Sequence, residues 1–292
     1  MIVLAFVLQT LRLATPLLFA AAGGVLSERA GIIALTLEGF MLTGAFCAML
    51  GAWYTGSATV GAITGVAGAT VAALILGIAT IRFRADQVVS GIAVNLLAMG
   101  TTQFLLQLAF DSSSNSPRIP GFGLEGSSVT LATLTNPLVW LGALSLPVVA
   151  FLLNRARFGL RLRAVGEHPE AAATVGIRVD SVRYAAVLLS GAFAGMAGVY
   201  LVTYQHQFTN NMTAGRGFIA LAAVIFGRWM PLRVAIACLL FAAADALSIQ
   251  LGQLGAVPQQ FVDVIPFVLA IVALAGIVGR SRAPAALGRT GG

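Results

Sequence analysis

Ionisable side chains are scarce enough here to be weighed singly: ten Asp and Glu, two His and seventeen basic residues, all Arg, in 292 positions. Phosphate binding by a P-loop needs GxxxxGK[ST] with its lysine, and a chain without Lys cannot hold ATP in that way. Neither HExxH nor GxSxG occurs, so the motifs of hydrolysis are absent too. An ion-driven carrier would bury carboxylates or histidines as a relay. The candidates are Glu38, Asp86, Asp245 and Asp263, with His168 and His206 in predicted loops. Asp86 and Asp263 fall near helix ends, which leaves Glu38 and Asp245 as deep charges, too few to favour a relay. The sequence assigns no specific partner to Asp245. Cys47 and Cys238 lie inside predicted helices and read as packed small hydrophobes, with no disulfide, metal or cofactor site suggested.

The elements that must position these groups are membrane helices. With 59% hydrophobic and 9% charged residues and a mean hydropathy of +0.94, the chain has too much apolar surface for one soluble core. Apolar segments recur at 2–26, 31–54, 57–81, 88–110, 137–153, 184–204, 217–227, 232–251 and 260–279. Most approach the twenty or so residues that a spanning helix requires. Continuous apolarity, as in GAITGVAGATVAALILGIAT, excludes the alternating pattern of a β-barrel. The expectation is an all-α polytopic membrane protein with about nine segments, eight of full length and one short. Residues 1–279 read as one transmembrane domain and 280–292 as a cytoplasmic tail, whose APAALGRTGG end reads as disordered.

The net charge of +7 does not point to nucleic acid, because the arginines punctuate membrane segments. Fourteen of the seventeen fall on one side when loops alternate, the exceptions being Arg12, Arg118 and Arg216. The positive-inside rule makes that side the cytoplasm, with the N-terminus outside and the C-terminus inside. The Ser-, Gly- and Pro-rich 111–136 loop is then extracytoplasmic. A cleaved signal peptide fits residues 1–26 less well than an uncleaved helix, since no positive charge precedes the apolar run. The pairs Gly61/Gly65 and Gly191/Gly195 allow close helix packing, expected within the chain.

Two stretches do not fit simple spans. In 208–227, FTNNMTAGRGFIALAAVIFG, a polar run leads into only eleven mostly apolar residues, roughly 16 Å of helix against a hydrocarbon core of about 30 Å. In the 154–183 loop, HPEAAATVG reads as a short helix, with Pro169 in its first turn, Glu170 near its positive end and Gly176 as its stop. That helix could rest on lipid headgroups or dock a soluble partner. Residues 31–40, GIIALTLEGF, and 217–226, GFIALAAVIF, share Gly, Ile, Ala, Leu and the final Phe in register while entering from opposite sides. An inverted-repeat transporter with interrupted helices shows such a pattern. The half-helix from Gly217 would then point free N–H groups at a solute path. Glu38, Asn95, Thr213 and Arg216 are the candidate path-lining groups, with Phe208 and Phe218 as stacking surfaces for a solute carrying a base. Each has a plainer alternative: a loop-bonded structural charge for Glu38, a helix–helix bond for Asn95, a cap region for Thr213, an interfacial anchor for Arg216.

Residues 27–40 (SERAGIIALTLEGF), 85–97 (ADQVVSGIAVNLL), 159–176 (GLRLRAVGEHPEAAATVG) and 208–227 together resemble the motif blocks of permease subunits of bacterial ABC importers. The likeness is greatest to the nucleoside (basic-membrane-protein type) branch, within the group that also serves simple sugars and branched-chain amino acids. One departure stands in the first block, where Ala34-Leu35-Thr36-Leu37-Glu38-Gly39 replaces the frequent Asn-Ile-Gly-Leu-Glu-Gly. The resemblance implies an inner-membrane location, an ATP-binding subunit, a second permease subunit forming a heterodimer, and an extracytoplasmic solute-binding lipoprotein. It also implies that the short cytoplasmic helix couples to the ATP-binding subunit through Glu167, Pro169, Glu170, Ala172 and Gly176. The alternatives are a sugar or amino-acid permease of the same type and an ion-coupled secondary carrier.

Overall fold

A computed structural model describes residues 2–122, 133–253 and 283–288. Its helices are α1 (Ile2–Arg29), α2 (Leu37–Thr55), α3 (Ala58–Gly77, running on as a π-helical turn Ile78–Arg82), α4 (Gln87–Phe110) and α5 (Pro137–Arg155). They continue as α6 (Arg157–Glu167), α7 (Pro169–Thr174), α8 (Val179–Gln205), α9 (Arg216–Phe226) and α10 (Pro231–Gln253). Among the described residues, 6 helices are long and apolar enough to cross a membrane: α1, α3 with its π turn, α4, α5, α8 and α10. The expected eighth full span, 260–279, and Asp263 lie outside the described residues. Helix starts follow side-chain chemistry: Asp86 accepts from the N–H groups of Val88 and Val89 ahead of α4, and Asn136 accepts from Leu138 ahead of α5.

The expected helix over 31–54 is corrected. Its first part is irregular, and α2 begins only at Leu37. Gly31, at φ +91°, turns the chain out of α1, a conformation glycine adopts without strain. Long-range side chains then take the backbone groups that a helix would have satisfied. Ala34 N–H donates to Glu28, Ile33 N–H donates to Gln87 (2.8 Å), and the Leu35 carbonyl accepts from Asn95 (3.0 Å). In a low-dielectric membrane interior an irregular backbone needs such partners.

Small residues hold α2, α3 and α8 together. A Cβ on Gly65 would stand 2.7 Å from the Gly44 carbonyl, one on Gly44 2.7 Å from Gly195 Cα, and one on Gly191 2.9 Å from the Ala69 carbonyl. Both glycine pairs therefore serve contacts within the chain. Gly191→Val is expected to destabilise by about 1–3 kcal/mol or more, because the facing atoms are the Ala73 Cβ and the Ala69 backbone, which cannot move aside. A lowered apparent Tm in detergent checks this.

The tail also departs from expectation. Residues 283–288 are seated: Ala286 is 1% exposed and donates its N–H to the Gly166 carbonyl (2.9 Å), and Gly288 N–H reaches the Gly31 carbonyl (3.3 Å). Ala286 fits because it faces two glycines; Gly31 is close enough that its own Cβ would lie 3.1 Å from the Ala286 carbonyl. Ala286→Arg is expected to unseat this segment, read as rapid hydrogen exchange at 283–288 and at the Gly166 end of α6.

Candidate functional site at the junction of two interrupted helices

The half-length helix α9 is tied at both ends to the α1–α2 region. At its start, the Glu38 carboxylate, on the second residue of α2 and 7% exposed, accepts from Gly215 N–H (2.7 Å) and Gly217 N–H (2.6 Å). Two helix N-termini thus share one buried anion, which suits the positive partial charge each presents. The approach requires glycine. Gly215 has φ +81°, and a Cβ on Gly217 would stand 2.6 Å from Glu38 Cα. Asn95 completes the junction, accepting from Gly39 N–H (2.8 Å) while donating to Leu35.

At the far end of α9, Trp229 donates its indole N–H to Glu28, and Arg29 donates from Nε to the Trp229 carbonyl (3.1 Å). Glu28 is 2% exposed and also holds Ala34, so two buried glutamates bracket one 11-residue helix. Sequence reasoning passed over Glu28, Gln87 and Trp229. The only signal was that Glu28 sits within the SERAGII block.

The expected site residues separate into groups. Glu38, Asn95 and Arg216 meet at the junction, but the first two are occupied by backbone groups there. The expectation of free N–H donors at the start of α9 is corrected. Gly215 and Gly217 bond Glu38, Arg216 N–H bonds the Thr213 carbonyl, and Phe218 and Ile219 bond Gly215. The Arg216 guanidinium donates to the Met212 (3.2 Å) and Thr213 (3.3 Å) carbonyls, and its charge also acts on Asp245 of α10. Thr213 is fully buried, and its hydroxyl and that of Thr36 have no hydrogen-bond partner among the described residues. Phe208 is fully buried, edge-on to Phe46 at 5.3 Å, so its ring serves packing; Phe218 is exposed.

On the arginine-rich side, α6 and α7 form the expected loop helix and one more. α7 spans Pro169–Thr174, with Glu170 in its first turn, and Gly176 at φ +82° closes it through Gly176 N–H to Ala173 and Ile177 N–H to Ala172. Ala172 is buried, whereas Glu167, Glu170, Gly176 and the apolar Val175, 75% exposed, face outward. Gly166 at the end of α6 packs on the Arg29 carbonyl, where any side chain would collide. Arg29 also feels the Glu167 charge. Helix α6 therefore touches the same turn of α1 that grips the end of α9.

A polytopic helical protein with an interrupted-helix junction inside and an exposed helical hairpin on its arginine-rich face has the build of a transport permease. The chain belongs to the branched-chain amino acid transport system / permease component family, matched over residues 6–274. It is the membrane-embedded permease of an ABC transporter, and it moves solute without itself being the enzyme that hydrolyses ATP. Among its relatives, the guanosine ABC transporter permease protein NupQ of Bacillus subtilis (strain 168) is 38% identical, over 96% of this chain and 93% of that protein. The nucleoside ABC transporter permease protein NupC of Lactococcus lactis subsp. cremoris (strain MG1363) is 36% identical, over 94% and 92%. A putative glucose ABC transporter permease protein, TsgC13 of Haloferax volcanii, is 36% identical over 82% and 76%.

Proposed function

We propose that this permease carries nucleosides inward across the bacterial inner membrane, driven by a separate ATP-binding subunit and supplied by an extracytoplasmic solute-binding lipoprotein. The two relatives named for guanosine and nucleosides, each matched over more than nine-tenths of its own length, support that solute class. A glucose-named relative keeps a sugar as the second reading. The N-terminus lies outside and the C-terminus inside. Counting α2 and α9 as crossings gives eight among the described residues, and 31–40 and 217–226 correspond as an inverted repeat.

One observation carries the mechanism: an unbroken set of contacts from α7 to the junction. Ala172 seats α7, and Gly166 of α6 rests on Arg29. Arg29 and Glu28 hold Trp229 behind α9, and Glu38 holds the front of α9 to α2. A shift of α6–α7 by the ATP-binding subunit therefore moves α9 and the start of α2 together, opening the path to alternate sides. The reading is tested in proteoliposomes holding the complete transporter. Labelled guanosine uptake should require ATP and be competed by other nucleosides but not by glucose or leucine. Competition by glucose alone would favour the sugar reading; uptake without ATP would remove the ATP-driven one.

A further inference from the structure

We propose that residues 283–288 are a strap through which the α6–α7 hairpin pulls on the break at 31–36, an inference that rests on the driven-permease reading above. A hydrogen-bonded turn shapes the segment: Leu287 N–H donates to the Pro284 carbonyl (3.0 Å), with Pro284 and Ala286 buried and Ala283 and Ala285 exposed. Ala286 bonds on one side and packs on the other. Its N–H donates to Gly166 (2.9 Å), one of the last carbonyls of α6, which have no partner within their own helix. Its own carbonyl and Cβ face Gly31, on which a Cβ would lie 3.1 Å and 3.3 Å from them. Gly288 N–H donates to the Gly31 carbonyl (3.3 Å), and Gly288 lies against the Ile33 side chain. The same carbonyl accepts from Nε2 of Gln87 (3.3 Å), the first residue of α4, and Gln87 in turn accepts from Ile33 N–H. The end of α6, the start of the break and the start of α4 therefore meet around this one segment.

The two contacts at the end of α6 differ in kind. Gly166 meets the Arg29 carbonyl by packing, and among the described residues no hydrogen bond joins α6 directly to α1 or to 31–36. Packing resists compression steeply but weakens as soon as the surfaces part. A movement of α6 toward α1 is therefore passed on as a push. A movement away leaves α1 behind, apart from the attraction of the Glu167 charge for Arg29. Hydrogen bonds resist separation as well. Through Gly166–Ala286 and Gly288–Gly31 the strap carries the opposite stroke, because opening the first bond strips a helix-end carbonyl of its donor. The pull arrives at Gly31, and from there at Gln87 and Ile33, so the break and α4 follow α6 outward. Alternating access needs both directions in every cycle. The slot accepts nothing larger than a methyl group at 286, where Ala286 is 1% exposed between two glycines.

The test compares the complete transporter in proteoliposomes as wild type, Ala286→Gly, Ala286→Arg and a chain lacking residues 283–292, reading guanosine uptake and ATP hydrolysis together. Hydrogen exchange at 31–33 in the detergent-solubilised permease reports whether the strap has left its slot. Ala286→Gly keeps the seat and should stay within two-fold of wild type in both activities. Ala286→Arg and the shortened chain should exchange faster at 31–33 and take up at least five-fold less guanosine per ATP hydrolysed. Their ATP hydrolysis should stay within two-fold of wild type, with the ATP-binding subunit still captured. An unchanged ratio of uptake to hydrolysis in the shortened chain would overturn the proposal. So would exchange at 31–33 that the deletion leaves unaltered, or a parallel fall of uptake, hydrolysis and Tm, which marks a packing role alone. Failure of the nucleoside-permease reading looks different: the unsubstituted transporter takes up no guanosine, while the deletion still quickens exchange at 31–33.

Discussion

Glu38→Ala is expected to cut ATP-driven uptake at least ten-fold and to lower the apparent Tm of the purified permease. The carboxylate accepts from Gly215 and Gly217 inside the protein. Leaving two buried N–H groups unbonded costs about 1–3 kcal/mol each. The two facing helix N-termini would also lose the anion between them, worth a further ~0.3–1 kcal/mol per end. Glu38→Gln keeps one acceptor but turns an NH2 group toward an N–H, so an intermediate loss is expected. Uptake with a parallel thermal unfolding measurement checks the series. Wild-type behaviour from Glu38→Ala would mean that the junction is not held by this residue.

The second large effect lies at the other end of α9. Trp229→Phe removes one donor from the Glu28 carboxylate, and Glu28→Ala strands both the Trp229 indole N–H and the Ala34 N–H. A charge-assisted buried bond of this kind contributes about 1.5–3 kcal/mol. Glu28→Ala should therefore be the more damaging variant. The double variant should be less unstable than the sum of the two by ~1–3 kcal/mol, since contacting residues couple in that range. Simple additivity in thermal unfolding would show that the two side chains do not act as a pair.

Continuous apolarity made the long helices legible, and the polar interruption at Gly227-Arg228-Trp229 made α9 legible as half-length. The break at 31–36 was legible only through the likeness of 31–40 to 217–226, and not from the composition of 31–54. The part that breaks, GIIALT, is almost wholly apolar, and what keeps it from coiling is Gln87, Asn95 and Glu28, the first two more than fifty positions away. Glu38 was singled out as a deep charge, yet its role depended on two glycines 177 and 179 residues later. The seated tail was hidden by its composition, because Ala and Gly give no periodicity and here act by being small enough for a narrow gap between Gly31 and Gly166. Phe208 shows the reverse limit: an aromatic beside a polar run looked available, and tertiary packing against Phe46 enclosed it.

In the proposed mechanism the drive enters through α7. Its most direct test is retention of the ATP-binding subunit by the detergent-solubilised permease, wild type against Glu170→Arg plus Gly176→Trp. Glu170 is exposed and Gly176 faces open space, but a side chain at the Gly176 φ of +82° strains the turn that closes α7, so an unchanged Tm is required before the capture is read. The predicted result is stable capture by wild type and at least a ten-fold loss in the variant. Equal capture by the variant, or none by wild type, would contradict a coupling role for this helix.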